Sequence, residues 1–203
     1  MPKVVPQYRE EARERIVEAA LKVFSSKGYH GTTMENIASK MGISKGALYL
    51  YFRSKEELFK EICKMGQERF KSTLYETFTR GDIFTNARIF FEKMLEEEPN
   101  YGDSGFLFET LALASRDQAI KDILSETYKN ATKVLKEFLD ELKRKGVIKQ
   151  QVNTKLLARG LVAVYDGFVA ALVLRPQRSN LLKTWDEMMK AIMLGILTRK
   201  SKL

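Results

Sequence analysis

The positions of the four prolines constrain the fold of this 203-residue chain more than any other feature, because they stand only at 2, 6, 99 and 176. A proline inside a helix removes a backbone hydrogen bond and clashes with the preceding turn. The long stretches between these prolines lack that breaker, and their apolar residues recur at helical intervals. No segment gives a convincing strand signal. We therefore predict an all-α fold.

Glycines and capping residues divide the chain into about nine predicted helices. Gly28, Gly42, Gly81 and Gly146 each follow an amphipathic segment, where a residue tolerant of left-handed backbone ends a helix. The predicted helices cover residues 9–27, 34–41, 45–51, 55–79, 83–98, 105–115, 118–145, 154–174 and 180–199. The first three are short and closely spaced, and they predict a small domain over 1–54 followed by a larger domain over 55–203.

The formal net charge of +9 favours a polyanionic partner, either nucleic acid or a membrane surface. The most apolar stretch, 161–174, is too short to span a bilayer and contains Asp166, so no membrane partner is predicted. The single cysteine, Cys63, permits no disulfide within the chain. That usage fits a reducing compartment, and we expect a cytoplasmic, nucleoid-associated protein.

Residues 33–52 have the pattern of a helix-turn-helix. The small residue Ala38 lets two short helices cross closely, and Gly42 suits the turn between them. Apolar anchors stand on both sides of that turn, at Ile37, Ile43, Leu48 and Phe52. The second helix offers small and polar side chains, as a helix that enters the major groove of DNA requires.

These residues closely resemble the TetR/AcrR family of regulators. The signature-like run is Gly46-Ala47-Leu48-Tyr49-Leu50-Tyr51-Phe52-Arg53-Ser54-Lys55-Glu56-Glu57-Leu58, and the Gly31-Thr32-Thr33 entry and Gly28-Tyr29 match as well. The resemblance covers about fifty residues. The rest of the chain matches only in the number and order of its helices. The resemblance to the TetR/AcrR family implies a three-helix DNA-binding domain joined to a larger helical domain for effector binding and dimerisation.

The resemblance also implies roles for individual residues. Thr33, Tyr49, Tyr51 and Lys55 would contact DNA phosphates, and Ser44 could do so while capping its helix. Lys45, Gly46 and Ala47 would face base edges, with Lys45 donating to guanine and Ala47 touching a thymine methyl. Without the signature, the simplest interpretation of Tyr49 and Tyr51 is that they are core aromatic residues. Lys45 would be an ordinary solvated lysine, and Thr33 would be an N-cap without a further role.

In the family, the region after the signature holds an effector cavity, and many aromatic residues fall there. We expect most of them to be ordinary core, and some to line an apolar pocket for a drug-like or fatty-acyl effector. The candidates are Phe90, Phe91, Phe106, Phe108, Tyr128, Tyr165 and Phe168.

The eighth predicted helix is rich in small residues. Ala163, Gly167 and Ala171 form one smooth stripe, and the ninth helix carries more apolar surface than one face of a monomer needs. We predict that helices eight and nine form the interface of a homodimer. Packing of the stripe inside the monomer remains the alternative.

Nothing in the sequence indicates catalysis. With one histidine, His30, and one cysteine, we predict no catalytic residues, metal or cofactor, and no enzyme activity. The predicted function is a repressor that binds a pseudo-palindromic operator on double-stranded DNA and is released by a lipophilic effector. The alternative is a helical carrier or sensor of lipophilic ligands without working DNA binding.

Overall fold

The computed structural model describes residues 6–79, 81–96, 105–174 and 177–198. Within these ranges the chain forms nine helices and a single isolated bridge between Ile148 and Leu197, so the predicted all-α fold is confirmed. The helices are α1 (Pro6–Gly31), α2 (Met34–Met41), α3 (Lys45–Tyr49), α4 (Lys55–Thr77), α5 (Ile83–Glu96), α6 (Gly105–Ala114), α7 (Gln118–Arg144), α8 (Thr154–Leu174) and α9 (Arg178–Ile196).

The chain divides into two compact units. The first unit contains α1, α2, α3, α4 as far as Gly66, α6, and α7 as far as Ser125. The second unit contains the rest of α4 and α7 together with α5, α8 and α9. This division does not coincide with the predicted domains 1–54 and 55–203, because α6 packs on α1, where the rings of Phe24 and Phe106 stack 5.5 Å apart. The predicted functional boundary stays a prediction.

The first unit is built around fully buried apolar side chains from every one of its helices except α6, which adds half-buried residues. The predicted anchors Ile37, Leu48 and Phe52 are 0 % exposed, and they hold α2 and α3 on α1. Ile43, the fourth anchor, is half-buried against the same core. The apolar bracket predicted around the turn is therefore present as packing.

The second unit has an aromatic centre. Phe91 of α5 stacks on Trp185 of α9 with ring centroids 4.0 Å apart, and Phe168 of α8 meets both rings edge-on. The indole Nε1 of Trp185 donates to the carbonyl oxygen of Ala87, which satisfies the one polar atom of this buried ring. These contacts join α5, α8 and α9.

Several predicted helix ends need correction: α1 covers 6–31 rather than 9–27, α4 ends at Thr77 rather than near 79, and α9 begins at Arg178 rather than near 180. Two further differences have a clear structural cause. The last helix was expected to reach about residue 199, but α9 ends at Ile196 because residues 196–198 pair with 147–149 through hydrogen bonds of 2.9 and 3.0 Å. The third helix was expected to reach Tyr51, but α3 ends at Tyr49, and the turn that follows brings Phe52 into the core. Residues 97 and 98, at the predicted end of α5, lie outside the described residues.

Candidate nucleic-acid interface

Two N-caps and one glycine position the helix-turn-helix. The hydroxyl of Thr33 accepts from the N–H of Asn36, and the Asn36 side chain accepts in return from the Thr33 N–H, so α2 begins with a reciprocal capping box. Gly42 ends α2 in the left-handed conformation, with φ 67° and ψ 27°. The Ser44 hydroxyl accepts from the N–H of Ala47 at 3.1 Å and starts α3.

The two faces of α3 differ sharply. Leu48 is fully buried, whereas Lys45, Gly46 and Tyr49 are exposed and Ala47 is half-buried. A Cβ built on Gly46 would meet only the Ser44 hydroxyl, at 3.9 Å, so the surface beside it is open. The residues predicted to read base edges therefore share one accessible surface, which we call the α3 face (Lys45, Gly46, Ala47 and Tyr49).

Lys45 is already engaged on that surface. Its ammonium group forms an ion pair with Glu35 of α2, and each of the two side chains is 53 % exposed. The hydrogen bond from Lys45 lowers the pKa of the Glu35 carboxyl, and the same bond raises the pKa of the Lys45 ammonium. In the sequence, Glu35 is a candidate for a capping box with Thr32, as an alternative to the Thr33 N-cap, and nothing local indicates its pairing with Lys45.

Two residues predicted to contact phosphate have internal contacts. The Lys55 ammonium donates to the carbonyl oxygens of Tyr29 and Thr32 at 2.8 and 3.2 Å, and lies 4.3 Å from the centre of the Tyr29 ring. Tyr51 is half-buried, and its carbonyl oxygen accepts from Arg13 at 2.7 Å. Both residues brace the domain, and their contacts with phosphate stay predictions.

A carboxylate from α6 closes the corner between α1 and α2. Gly28 interrupts α1 with φ 73° and ψ 171°, which turns the next two N–H groups away from the helix ladder. The Glu109 carboxylate accepts from the N–H groups of Tyr29 and His30 at 2.9 and 3.1 Å. No local sequence signal could identify Glu109, because its partners lie about 80 residues earlier in the chain.

The seven predicted effector residues fall into three environments. Phe91 and Phe168 lie in one apolar cluster of the second unit and Phe90 lies in another, and Tyr165 packs against both clusters. Phe106 belongs to the first unit, and Phe108 and Tyr128 are 37 % and 40 % exposed. A separate groove of about 440 Å³ runs between α5 and α9, lined by residues that include Phe84, Arg88, Trp185 and Lys190 but none of the seven.

Across the described ranges, no three His, Cys, Asp or Glu side chains come together in a way that could hold a metal ion. Among the residues with described structure, no helix combines the length and apolar character needed to cross a bilayer.

Comparisons with known proteins agree with this geometry. Residues 16–62 match the model for bacterial regulatory proteins of the tetR family, and residues 87–192 match the C-terminal model for BetI-type transcriptional repressors. The fatty acid metabolism regulator protein of Bacillus subtilis is 26% identical over 90% of this chain and 94% of its own. The uncharacterized regulator YfiR of the same organism is 29% identical, and that match spans 63% of each chain.

Solved structures share the fold. Salmonella enterica GusR superposes with a TM-score of 0.74 at 23% identity, covering 94% of this chain and 98% of its own. The fatty acid degradation regulator FadR of Bacillus halodurans gives 0.73 at 21% identity, over 94% and 96%. With one family model over the helix-turn-helix and a second over 87–192, more than half of the sequence, the chain belongs to the TetR family of transcriptional regulators.

Proposed function

We propose that this protein is a homodimeric repressor that binds a pseudo-palindromic operator through the α3 face and leaves it when a lipophilic effector binds. The observation that carries the proposal is the helix-turn-helix itself, with buried anchors behind α3 and Lys45, Gly46 and Tyr49 exposed in front. Two such helices in a dimer would enter successive major grooves about 34–36 Å apart.

Each residue of the candidate interface has a proposed role. Lys45 and Ala47 contact base edges, and Gly46 allows the helix to approach them closely. Tyr49, Tyr51 and Lys55 contact phosphates, and the exposed hydroxyls of Thr33 and Ser44 can do so beside their capping bonds. Phosphate contacts of this kind release counterions, so binding should weaken steeply with salt.

Selection of binding sites from random duplex DNA tests the proposal, followed by affinity measurements on the selected site and on a scrambled duplex. Lys45→Ala should lose preference for the selected site. The free energy that distinguishes the correct base pair from an incorrect one, at the position that Lys45 contacts, should fall by about 1–3 kcal/mol. Lys55→Ala should weaken binding to both duplexes alike. Lys71→Ala, at an exposed position of α4 in the second unit, is the control for loss of one charge. A wild-type protein that enriches no motif would sink the proposal.

For the dimer we propose an interface made by α8 and α9. Leu156 and Leu174 of α8 are 59 % and 79 % exposed, and a Cβ built on Gly160 or Gly167 would meet nothing within 4 Å. Ala163 shares this exposed face. Of the predicted stripe, Ala171 is instead half-buried against the core of the second unit. A smooth apolar face of this kind suits close packing against a second helix.

On α9 the exposed residues lie opposite the aromatic core. Leu194 is 43 % exposed and Ala191 and Gly195 are exposed with it, while Trp185 and Met189 point inward. Both helices thus offer small or apolar surface to a partner, which supports a four-helix arrangement in a symmetric dimer. An oligomeric state measured by sedimentation tests this part of the proposal directly.

For the effector we propose a site at the two neighbouring aromatic clusters that contain Phe90, Phe91, Tyr165 and Phe168, and a fatty-acyl compound as the first class to test. The Bacillus subtilis relative named for fatty acid metabolism favours that class. The clusters are closely packed, so a ligand must shift their rings, and such a shift could move helices. A ligand changes DNA affinity only as far as it binds the two states differently.

Trp185 supplies a direct readout, because it is the single tryptophan and stacks on Phe91. Palmitate, palmitoyl coenzyme A and tetraphenylphosphonium would be titrated while Trp185 emission and DNA affinity are followed. We expect an acyl probe to change the emission and to release the DNA. A probe that changes the emission of a protein that never binds DNA would favour the alternative, a carrier or sensor of lipophilic ligands.

A further inference from the structure

We propose that Glu35 sets the stringency of DNA recognition by competing with DNA for the side chain of Lys45. This inference rests on the proposed function, since it concerns the same α3 face. It adds a residue of opposite charge to that face and gives it a role in rejecting incorrect sequences.

The pair places a carboxylate beside the lysine proposed to read bases. Glu35 stands in the first turn of α2 and Lys45 is the first residue of α3, so the ion pair spans the helix-turn-helix itself. The Lys45 ammonium also lies 5.8 Å from the centre of the Tyr49 ring. A glutamate in a first turn stabilises the helix N-terminus through the helix dipole, but that role does not require contact with Lys45.

The negative charge of the Glu35 carboxylate opposes the binding of DNA. Glu35 repels the phosphate backbone, and Lys45 must leave or share its carboxylate before it can donate to DNA. A correct site offers the O6 and N7 acceptors of guanine at a fixed position, and these can replace the carboxylate. An incorrect site offers Lys45 only diffuse attraction to phosphates, the main source of non-specific affinity.

Glu35 therefore weakens binding to incorrect sequences more than to correct ones. Specificity is a difference between two affinities, and a repulsive group that acts mainly on the wrong complex increases that difference. Both side chains are half-exposed, so the pair can open and close without disturbing the core.

Glu35→Gln tests this role, because it keeps the shape of the side chain and removes its charge. Affinities would be measured by fluorescence anisotropy on the duplex selected with the wild-type protein and on a scrambled duplex of equal composition. We expect Glu35→Gln to bind the scrambled duplex about tenfold more tightly and the selected duplex less than threefold more tightly. The salt dependence on the scrambled duplex should steepen by about one charge.

Two further variants separate competition for Lys45 from general electrostatics. Glu18→Gln makes the same charge change at an exposed position of α1 and should leave the ratio of the two affinities unchanged. In a Lys45→Gln background, Glu35→Gln should change the ratio less than twofold. Thermal melts of each variant check that the fold is intact.

Several outcomes would overturn the inference. An equal gain on both duplexes would reduce Glu35 to a general repulsive charge. Loss of affinity for the selected duplex alone would mean that Glu35 itself accepts from a base, such as the N4 amine of cytosine. If the wild-type protein selects no motif, the proposed function fails first and this inference fails with it.

Discussion

Tyr29 connects more of the first unit than any predicted contact residue. Its N–H donates to Glu109, its hydroxyl donates to Glu56 at 3.2 Å, and its carbonyl oxygen accepts from Lys55. Its ring stacks on Phe24 with centroids 5.6 Å apart. Burial, followed by the neighbouring Glu56 carboxylate, raises the pKa of the Tyr29 phenol far above its usual value near 10. The fold therefore favours the neutral phenol.

Tyr29 should make the folded state less stable in alkali. Above pH 10 the unfolded chain releases the phenolic proton while the folded chain retains it, so unfolding becomes easier as pH rises. Wild-type protein should exceed Tyr29→Phe in unfolding free energy at pH 8 by about 0.5–1.5 kcal/mol for the lost hydrogen bond. That difference should shrink between pH 10 and 11 in urea titrations. A difference that stays constant over this range would contradict the assignment.

Among the helices, α6 supports the helix-turn-helix from a distant part of the sequence. It follows α5 in sequence, yet its Glu109 caps the corner between α1 and α2, and its Phe106 stacks on Phe24. The entry to α2 is consequently held by a helix that lies outside the helix-turn-helix signature. Movement of α6 would act directly on the N–H groups of Tyr29 and His30.

Gly28 is the point at which this arrangement can be tested. Its φ of 73° and ψ of 171° lie in a region that only glycine adopts readily, and an added Cβ would come within 2.3 Å of the Glu109 carboxylate. We expect Gly28→Ala to cost about 1–3 kcal/mol of unfolding free energy and to weaken DNA binding.

Gly42→Ala is the matched control, because Gly42 has φ 67° and ψ 27° with open space around it. It should cost about 1–2 kcal/mol, from the left-handed backbone alone. The double variant Gly28→Ala with Glu109→Ala removes the collision. Its loss of unfolding free energy should therefore be smaller than the sum of the losses measured for the two single variants. Additive costs in chemical denaturation would show that Glu109 does not crowd Gly28.

At the level of the whole molecule, the exposed face of α8 carries a self-complementary charge pattern. Arg159 and Asp166 lie on either side of Ala163, and all three are exposed. If α8 crosses its copy in an antiparallel direction at Ala163, Arg159 comes beside Asp166 of the partner subunit. Gly160 and Gly167 leave room for the two pairs, because neither has a side chain.

Exchanging these charges should control which chains pair. Two copies of the contact between residues 159 and 166 occur in the symmetric dimer, and either Arg159→Asp or Asp166→Arg puts like charges at both. Each single variant should therefore raise the dimer dissociation constant about tenfold or more in sedimentation equilibrium. Mixing the two variants should restore a dimer that native mass spectrometry identifies as mixed. Lys129→Asp, at an exposed position of α7, should have no effect. Single variants that dimerise like the wild type would exclude this register.

The sequence by itself determined the helices and the helix-turn-helix, because those features depend on local rules. Capping at Thr33 and Ser44, the left-handed turn at Gly42 and the apolar anchors all act within a few residues of one another. The caps, the turn and three of the four anchors are present as predicted, and the fourth anchor, Ile43, is half-buried. The resemblance to the TetR family rests on the same contiguous run, and the match of 87–192 extends it over most of the chain.

Only the tertiary structure decided which side chains the interface residues meet. It placed Lys55 on the carbonyls of the α1–α2 corner, Glu109 on the N–H groups at Tyr29 and His30, and Phe106 in the first unit rather than among the predicted effector residues. It also set Glu35 against Lys45 across the turn. These contacts join residues far apart in the chain or on different helices. Helical periodicity gives the face of a side chain but not its partner, so the packing of whole helices had to be known first.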